Sequence, residues 1–457
     1  MMRTSNIILV FLLTITIISC NQTENKTMIE EKVQSGLQHP EWSKHSNIYE
    51  VNIRQYTEEG TFNAFDKHID RLHDMGVDIL WLMPINPIGL KNRKGSLGSY
   101  YSISDYSAIN PEFGTLEDFK ALVDHAHSLG MHVIIDWVAN HTSWDHAWTV
   151  EHPEWYKTDS TGAMTSPYDW TDVLSLNYED RDLWKAMVGE MQYWLTNADI
   201  DGFRCDVAML VPTEFWDSAR VELDKIKPVF MLAEAEMPEH HLNAFDMSYA
   251  WEMHHILAAV ASGKEPASAL NVRILEDLSF FKSNDYHMQF TSNHDENSWN
   301  GTEYEKMGDG AKTMAVLTFV IPGMPLIYNG QEAANKKRLA FFEKDTLIWD
   351  AIPLNNFYQN LIQLKNENKS LWNGDFGGSY QVIETSNPEK VFACIREIEG
   401  NKVIYVGNMS NDKLNVKINF GEEAGLYQDW YLKSEIEFND SNAFSLKPWQ
   451  YNVFIGK

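Results

Sequence analysis

Residues 201–208 read Asp-Gly-Phe-Arg-Cys-Asp-Val-Ala. The helical spacing of apolar residues in 184–195 predicts a core-facing helix that leads into a buried strand here. Alternate residues of a strand share a face, so Arg204 and Asp206 are predicted to point the same way. A neighbouring Arg lowers the pKa of a carboxyl group, which favours an ionised Asp206. A carboxylate anion in apolar surroundings is suited to act as a nucleophile. These eight residues alone fit a structural ion pair equally well.

From residue 47 onward, short apolar strands alternate with helical stretches. This alternation is typical of a parallel α/β sheet, and eight such units predict a closed (β/α)8 TIM barrel over residues 44–374. Residues 142–178 lack the rhythm and are predicted to form a short insertion after strand 3. From residue 375 to 457 the pattern changes to short strands between Gly, Asn and Asp turns, which predicts a C-terminal antiparallel β-sandwich domain. The eight barrel strands are predicted at 48–55, 77–83, 131–137, 201–208, 229–234, 244–249, 285–293 and within 315–328.

The N-terminus has the features of a targeting segment. Arg3 precedes an apolar run over residues 7–18 that is too short to span a bilayer. The run ends in Ile-Ile-Ser-Cys at 17–20, which resembles a bacterial lipoprotein cleavage box with Cys20 as the acylated residue. Residues 1–20 are therefore predicted as a lipoprotein signal peptide and 21–43 as a tether, although a plain secretory signal with an incidental Cys is the alternative.

This interpretation predicts a lipid-anchored protein of the bacterial cell envelope, in the outer membrane and facing the periplasm or the surface. The formal net charge of −28 argues against nucleic acid and against direct binding to an anionic membrane. The anchor is thus the expected membrane contact, and the sequence leaves the oligomeric state open. Besides Cys20 the chain has only Cys205 and Cys394, so no disulfide framework is predicted.

Four carboxylates lie at the C-terminal ends of predicted strands, where barrel enzymes place their chemistry. They are Asp136, Asp206, Glu234 and Asp295. Two acids whose surroundings push their pKa values apart make a nucleophile and a general acid, which is the pair that cleaves glycosidic bonds. His141 flanks the same mouth, as does His294, and both are candidate donors to sugar hydroxyls. A metal site is the alternative, but no His-x-x-x-His or Cys pair supports it, and no metal ligand is predicted.

Four ordered segments, 136–141, 202–208, 230–234 and 290–295, resemble the four motifs of the α-amylase family, glycoside hydrolase family 13. Segments 101–106, 172–177 and 323–332 add supporting matches, and the resemblance covers residues 44–457. It implies that Asp206 is the nucleophile, that Glu234 is the acid and base, and that Asp295 grips substrate hydroxyls. It further implies a supporting position for Asp136 beneath the site. The substrate-binding residues that it implies are Tyr101, His141, Arg204 and His294.

The sequence departs from the family where many members have Lys-His after the nucleophile, because this chain has Met209-Leu210. The departure puts a structural Ca²⁺ in doubt, although Asn140 matches one usual ligand, and no cofactor is required. Tryptophans in or near the insertion are expected either to stack on glucose rings or to pack the insertion. They are Trp144, Trp148, Trp155 and Trp170.

The resemblance implies a retaining α-glucan hydrolase that cleaves α-1,4-glucosidic bonds in starch, glycogen or malto-oligosaccharides by double displacement. A family transglycosylase or an α-1,6-glucosidase is the first alternative, and Val207 resembles some α-1,6-acting members. A glycan-binding lipoprotein without activity is the second. Retention of all three carboxylates argues against it.

Overall fold

A computed structural model describes residues 37–439 and 443–457, and the part from Leu37 onward forms one compact unit. Cys20, the predicted signal peptide and residues 21–36 lie outside the described residues, so the lipid anchor and the envelope location stay predictions. Among the described residues, none of the helices has the length and apolar character needed to cross a membrane.

Eight parallel strands close into a barrel, which confirms the predicted fold class. The barrel strands are β1 Ile48–Val51, β2 Ile79–Leu82, β3 His132–Trp137, β6 Gly202–Cys205, β7 Phe230–Ala233, β8 Met247–Tyr249, β9 Tyr286–Gln289 and β10 Met324–Tyr328. Around the ring they follow one another in this order, and β10 pairs with β1 again. The numbers β4 and β5 belong to strands of the insertion, His141–Ser143 and Val173–Ser175.

Helices fill the outer layer and the connections. The first predicted strand, 48–55, is wrong beyond Val51, because the Asn52 carbonyl accepts hydrogen bonds from the backbone of Gln55 and Tyr56 and starts a helical turn. The helices are α1 Ile53–Tyr56, α2 Phe62–Asp66, α3 Ile69–Met75, α4 Leu116–Ser128, α5 Trp148–Glu151, α6 Arg181–Ala198, α7 Thr213–Leu223, α8 Trp251–Ala261, α9 Ser268–Phe280, α10 Glu303–Met307, α11 Ala311–Val320 and α12 Asn355–Glu367.

The barrel interior is filled by side chains, as in other barrels of this size. Ile79, Trp81 and Ile134 belong to this inner cluster, whereas the alternate residues of the same strands face the helices. Gly202 begins β6 because a Cβ there would lie 1.9 Å from the carbonyl oxygen of Phe230 on β7. The glycine lets β6 pair closely with β7 just below the carboxylates.

The segment that precedes the barrel is packed against it. Trp42 stacks on His132 with ring centroids 3.8 Å apart, and His39 contacts the Asp246 carboxylate at 2.8 Å. The prediction of a tether over residues 21–43 is therefore wrong for residues 37–43. The segment 37–43 is mostly polar, but its Trp42 and His39 rings contact residues at or near the beginnings of barrel strands, His132 and Asp246.

The insertion carries a two-stranded antiparallel sheet, β4 His141–Ser143 with β5 Val173–Ser175. Trp148 and Trp155 are 8% and 6% exposed and pack edge to face, so they form the core of the insertion. Trp144 also packs against apolar neighbours. For these three tryptophans packing is the correct interpretation, and Trp170 alone among the four lines the barrel mouth.

The C-terminal region forms the predicted antiparallel sandwich. Its larger sheet has the order β11-β13-β14-β19-β16-β17 and its smaller sheet β12-β15-β18. Apolar side chains such as Val406, Val416 and Phe454 fill the space between the sheets, while Phe392 and Tyr405 join the core between the barrel strands and the helices. The strands are β11 Ser379–Val382, β12 Glu384–Thr385, β13 Val391–Ile398, β14 Asn401–Asn408, β15 Leu414–Asn419, β16 Gly425–Asp429, β17 Glu435–Phe438, β18 Ala443–Leu446 and β19 Tyr451–Gly456.

Candidate active site

The predicted site residues come together in one cleft at the C-terminal ends of the barrel strands. The cleft has a volume of about 590 Å³. Because parallel strands end at the same edge, residues far apart in sequence meet there. Among the residues that line it are Tyr101, His141, Asp206, Glu234, His294 and Asp295.

Arg204 lies at the floor of this cleft and contacts three carboxyl groups. Its Nη1 atom donates hydrogen bonds to Asp136 at 2.9 Å and to Asp206 at 3.0 Å. Its Nη2 atom lies 3.0 Å from Glu234 Oε2 as an ion pair, and Nε donates to the hydroxyl of Tyr249 at 3.1 Å. A planar guanidinium presents several donors in fixed directions, so one Arg can hold these carboxyl groups side by side.

The expectation that Arg204 keeps the pKa of Asp206 low is wrong. Burial and the neighbouring Glu234 carboxyl raise the pKa of Asp206 well above its ordinary value, and Arg204 opposes them only in part. Burial likewise raises the pKa of Glu234. One cation shared by three buried carboxyl groups cannot compensate them all, so this cluster retains a proton more readily than an isolated carboxyl group does.

The backbone of Val207 has an unusual conformation, in which its N–H group contacts Glu234. Its φ and ψ are 37° and 47°, in the left-handed region that β-branched residues rarely adopt, at a cost of about 1–3 kcal/mol. In this conformation its N–H donates to Glu234 Oε2 at 2.6 Å. Backbone strain of this kind concentrates at functional sites. Nothing in the sequence indicates this left-handed conformation of Val207.

His294 links Tyr101 to a buried acid that the sequence reasoning missed. Its Nδ1 lies 2.5 Å from Glu50 Oε1, and its Nε2 lies 2.7 Å from the Tyr101 hydroxyl, which donates to Asp136 at 3.0 Å. Glu50 is fully buried on β1. A charged residue inside the apolar run Ile-Tyr-Glu-Val at the end of the first strand is the sequence signal that would have found it.

The two histidines of the cleft differ in charge. Burial alone lowers the pKa of His294, but the carboxylates of Asp295 and Glu50 outweigh burial and raise that pKa to about 9. Burial lowers the pKa of His141 to about 4. At neutral pH His294 is therefore a cation that donates from both nitrogens, whereas His141 is neutral.

This difference predicts a pH dependence of stability. A raised folded pKa means that the contribution of His294 is complete below its unfolded pKa of about 6.5 and is lost as the pH rises through about 9. We expect it to account for about 3 kcal/mol of the free energy of unfolding between these limits. Denaturant titrations of His294→Gln from pH 6 to 10 should show a weaker pH dependence. His141→Gln is the control, and an equal effect of both would contradict this assignment.

Most of the chain matches a known protein family. The family model of the α-amylase catalytic domain matches residues 21–172 and 155–370. The chain belongs to the α-amylase family. An α-amylase of known structure from Lactobacillus plantarum is 32% identical, with a TM-score of 0.82, over 91% of this chain and all of the other. This family member is an enzyme of the amylase type.

Two relatives known by sequence differ in their named reactions. An α-amylase from Haloarcula japonica is 26% identical over 84% of this chain and 58% of its own length. An α-1,4-glucan:maltose-1-phosphate maltosyltransferase from Picrophilus torridus is 26% identical over 83% of this chain and 63% of its own length. The chain thus spans less than two thirds of either relative. Family membership covers both hydrolysis and glycosyl transfer.

Calcium is the metal ion that the sequence leaves open. Within residues 37–439 and 443–457, His, Cys, Asp and Glu side chains form no group of three or more that is placed to hold a metal ion. The amide of Asn140, the single residue that matched a usual ligand, contacts Nδ1 of His141 at 3.1 Å.

Proposed function

We propose that this protein is a retaining α-glucan hydrolase that cleaves α-1,4-glucosidic bonds by double displacement. The observation that carries the proposal is the contact of Asp206 and Glu234 with the same guanidinium, at 3.0 Å each, in the barrel cleft. Retaining glycosidases need their two carboxyl groups close together, whereas inverting enzymes separate them to admit a water. Two acids that share one cation fit the first arrangement.

The reacting state of the cluster is the one in which its proton lies on Glu234 and Asp206 is the anion beside Arg204. In the first step Asp206 attacks the anomeric carbon and forms a β-glycosyl ester. Glu234 holds the proton and gives it to the departing glycosidic oxygen, so the leaving sugar departs as an alcohol. The raised pKa of Glu234 suits this acid role. The Val207 N–H at 2.6 Å orients the Glu234 carboxyl group while the proton moves.

In the second step Glu234, now ionised, takes a proton from a water molecule that attacks the ester. The anomeric carbon inverts twice, so the α configuration is retained and Asp206 is released as a carboxylate. Asp295 lines the same cleft, where its carboxylate can accept hydrogen bonds from sugar hydroxyls, and Tyr101 presents a ring for stacking on the sugar. His141, being neutral, can donate to a hydroxyl without adding charge.

Glycosyl transfer is the second candidate, supported by the maltosyltransferase among the relatives. It uses the same first step and the same residues, and a sugar hydroxyl takes the place of water in the second. Oligosaccharides longer than the substrate would appear among the products. Chromatography of the products from maltoheptaose therefore separates the two reactions.

Proton NMR of the nascent product tests the proposed mechanism. Maltoheptaose should give α-anomeric reducing ends before mutarotation, because two inversions at one carbon restore the configuration. Initial β-anomeric product would contradict the double displacement and would require a single attack by water.

A further inference from the structure

Residues 89–99 follow β2 in the chain and precede Tyr101 of the cleft, and we call them the bridge loop. On one side it is fastened to the insertion. The Asp145 carboxylate accepts hydrogen bonds from the backbone N–H groups of Leu90 at 2.7 Å and Lys91 at 3.3 Å. Lys94 Nζ pairs with Asp172 Oδ1 at 3.1 Å, and both side chains line the cleft.

On its other side the bridge loop is fastened to residues 341–343, which follow β10. The Leu97 N–H donates to the Phe342 carbonyl at 3.0 Å, and the Ser96 N–H donates to Glu343 at 2.9 Å. Gly95 approaches so closely that a Cβ would lie 2.5 Å from the Cβ of Phe342. The bridge loop therefore joins the two walls of the cleft.

The place of this loop in the ring decides which part of a bound glucan it faces. The loop joins the insertion after β3 to the residues after β10, and β1 and β2 lie between these two strands in the ring. Because β7, which precedes Glu234, lies on the other side of the ring, the bridge loop faces Glu234 across the mouth. The leaving part of a glucan departs beside the general acid. A glucan bound with its leaving part beside Glu234 would therefore have its non-reducing part, the part that becomes attached to Asp206, on the side of the bridge loop.

Aromatic side chains line the space between the bridge loop and the carboxylates. Phe341 lies nearly parallel to Tyr101 with centroids 6.2 Å apart, and Trp299, 51% exposed, packs on Phe341 at 5.1 Å. Trp170 lines the cleft from the insertion side. Sugar rings bind to such apolar faces, so the space beside the bridge loop suits a short stretch of glucan.

We propose that the bridge loop closes the non-reducing end of the cleft, so that the enzyme acts from chain ends and releases short products of fixed length. The inference rests on the proposed function, since it assumes Glu234 as the acid. A glucan chain that continued past the closed end would meet the Lys94–Asp172 pair and the backbone of the bridge loop. Internal bonds of a long chain would then be excluded by steric conflict.

A substrate with a blocked end tests this closure. The wild-type enzyme is offered maltoheptaose and a maltoheptaoside that carries an ethylidene group on O4 and O6 of its non-reducing glucose. We expect the blocked substrate to react slower by about 100-fold or more, and unblocked substrate to give one short product from the earliest times. Similar rates on both, with a ladder of early products, would overturn the proposal. Failure of the proposed function would instead appear as no cleavage, or as β product, with unblocked maltoheptaose.

Two variants locate the closure in the bridge loop. Lys94→Ala removes the ion pair to Asp172, and replacement of residues 91–96 by two glycines removes the bridge itself. Each should raise the rate on the blocked relative to the unblocked substrate, by about tenfold or more for the shortened loop. Lys91→Ala is the matched control, because the exposed side chain of Lys91 lies over the Trp144 ring instead of pairing with Asp172. An unchanged ratio in a shortened-loop enzyme that remains folded by circular dichroism would overturn the assignment.

Discussion

Asp206→Asn is expected to fold like the wild-type protein and to lose almost all activity on malto-oligosaccharides. An amide keeps the shape of the carboxyl group but is a poor nucleophile. Loss of a nucleophile costs about 10⁶-fold in a serine protease, so we expect a loss of at least about 10⁴-fold in kcat. Stopped assays with maltoheptaose measure it.

The stability of this variant should not fall. Because burial and Glu234 raise the pKa of Asp206, the ionised form destabilises the folded protein at neutral pH. A neutral Asn removes that cost, and Arg204 keeps its contacts with Asp136 and Glu234. Thermal unfolding at or above the wild-type temperature is the expected result. A sharp decrease would instead identify Asp206 as a structural ion-pair partner.

A covalent trap complements the kinetic measurement. A fluorinated α-glucosyl donor slows hydrolysis of the ester, so the added mass should be found on the wild-type peptide that contains Asp206. Asp136→Asn is the matched control, since Asp136 contacts the same Nη1 atom but lies beneath the cleft. That variant should still acquire the label on Asp206. Label on another residue would exclude Asp206 as the nucleophile.

The barrel was predictable because its signal is repeated. Each strand that carries a carboxylate ends at the mouth, and the order of Asp136, Asp206, Glu234 and Asp295 along the chain fits the parallel ring. The end of β1 was predicted less well, because a polar turn at Asn52 resembles a continuing strand. The N-terminal contacts of Trp42 were missed for a similar reason, since pairing with His132 depends on the tertiary fold.

The site was predictable in its residue types and unpredictable in its electrostatics. That Arg204 and Asp206 share a face follows from strand geometry, and the structure places them 3.0 Å apart. The number of carboxyl groups that share Arg204 depends on cross-strand neighbours such as Asp136, which sequence spacing does not supply. Glu50 and the left-handed backbone of Val207 likewise result from closure of the ring.

Glu234→Gln should show a loss that depends on the leaving group. The Gln carbonyl can still accept the Val207 N–H, so the fold around it should persist. A general acid contributes about 10²–10⁴-fold, and we expect a loss in this range on maltoheptaose. A nitrophenyl maltoside needs little protonation of its leaving group, so formation of the glycosyl ester should be much less affected. Burst kinetics separate this first step from the second.

The ester that accumulates in this variant gives a further test. Small anions such as azide need no general base, so azide should react with the ester of Glu234→Gln and restore turnover as an α-glycosyl azide. The same anion in Asp206→Asn would have to displace the leaving group directly and give a β-glycosyl azide. Glu236→Gln is the matched control, because Glu236 resembles Glu234 in two respects. Burial raises the pKa of Glu236 to about 7, and its carboxylate accepts a hydrogen bond from a backbone N–H group, that of Glu252. Equal losses of Glu234→Gln on both substrates, without azide rescue, would remove Glu234 from the acid role.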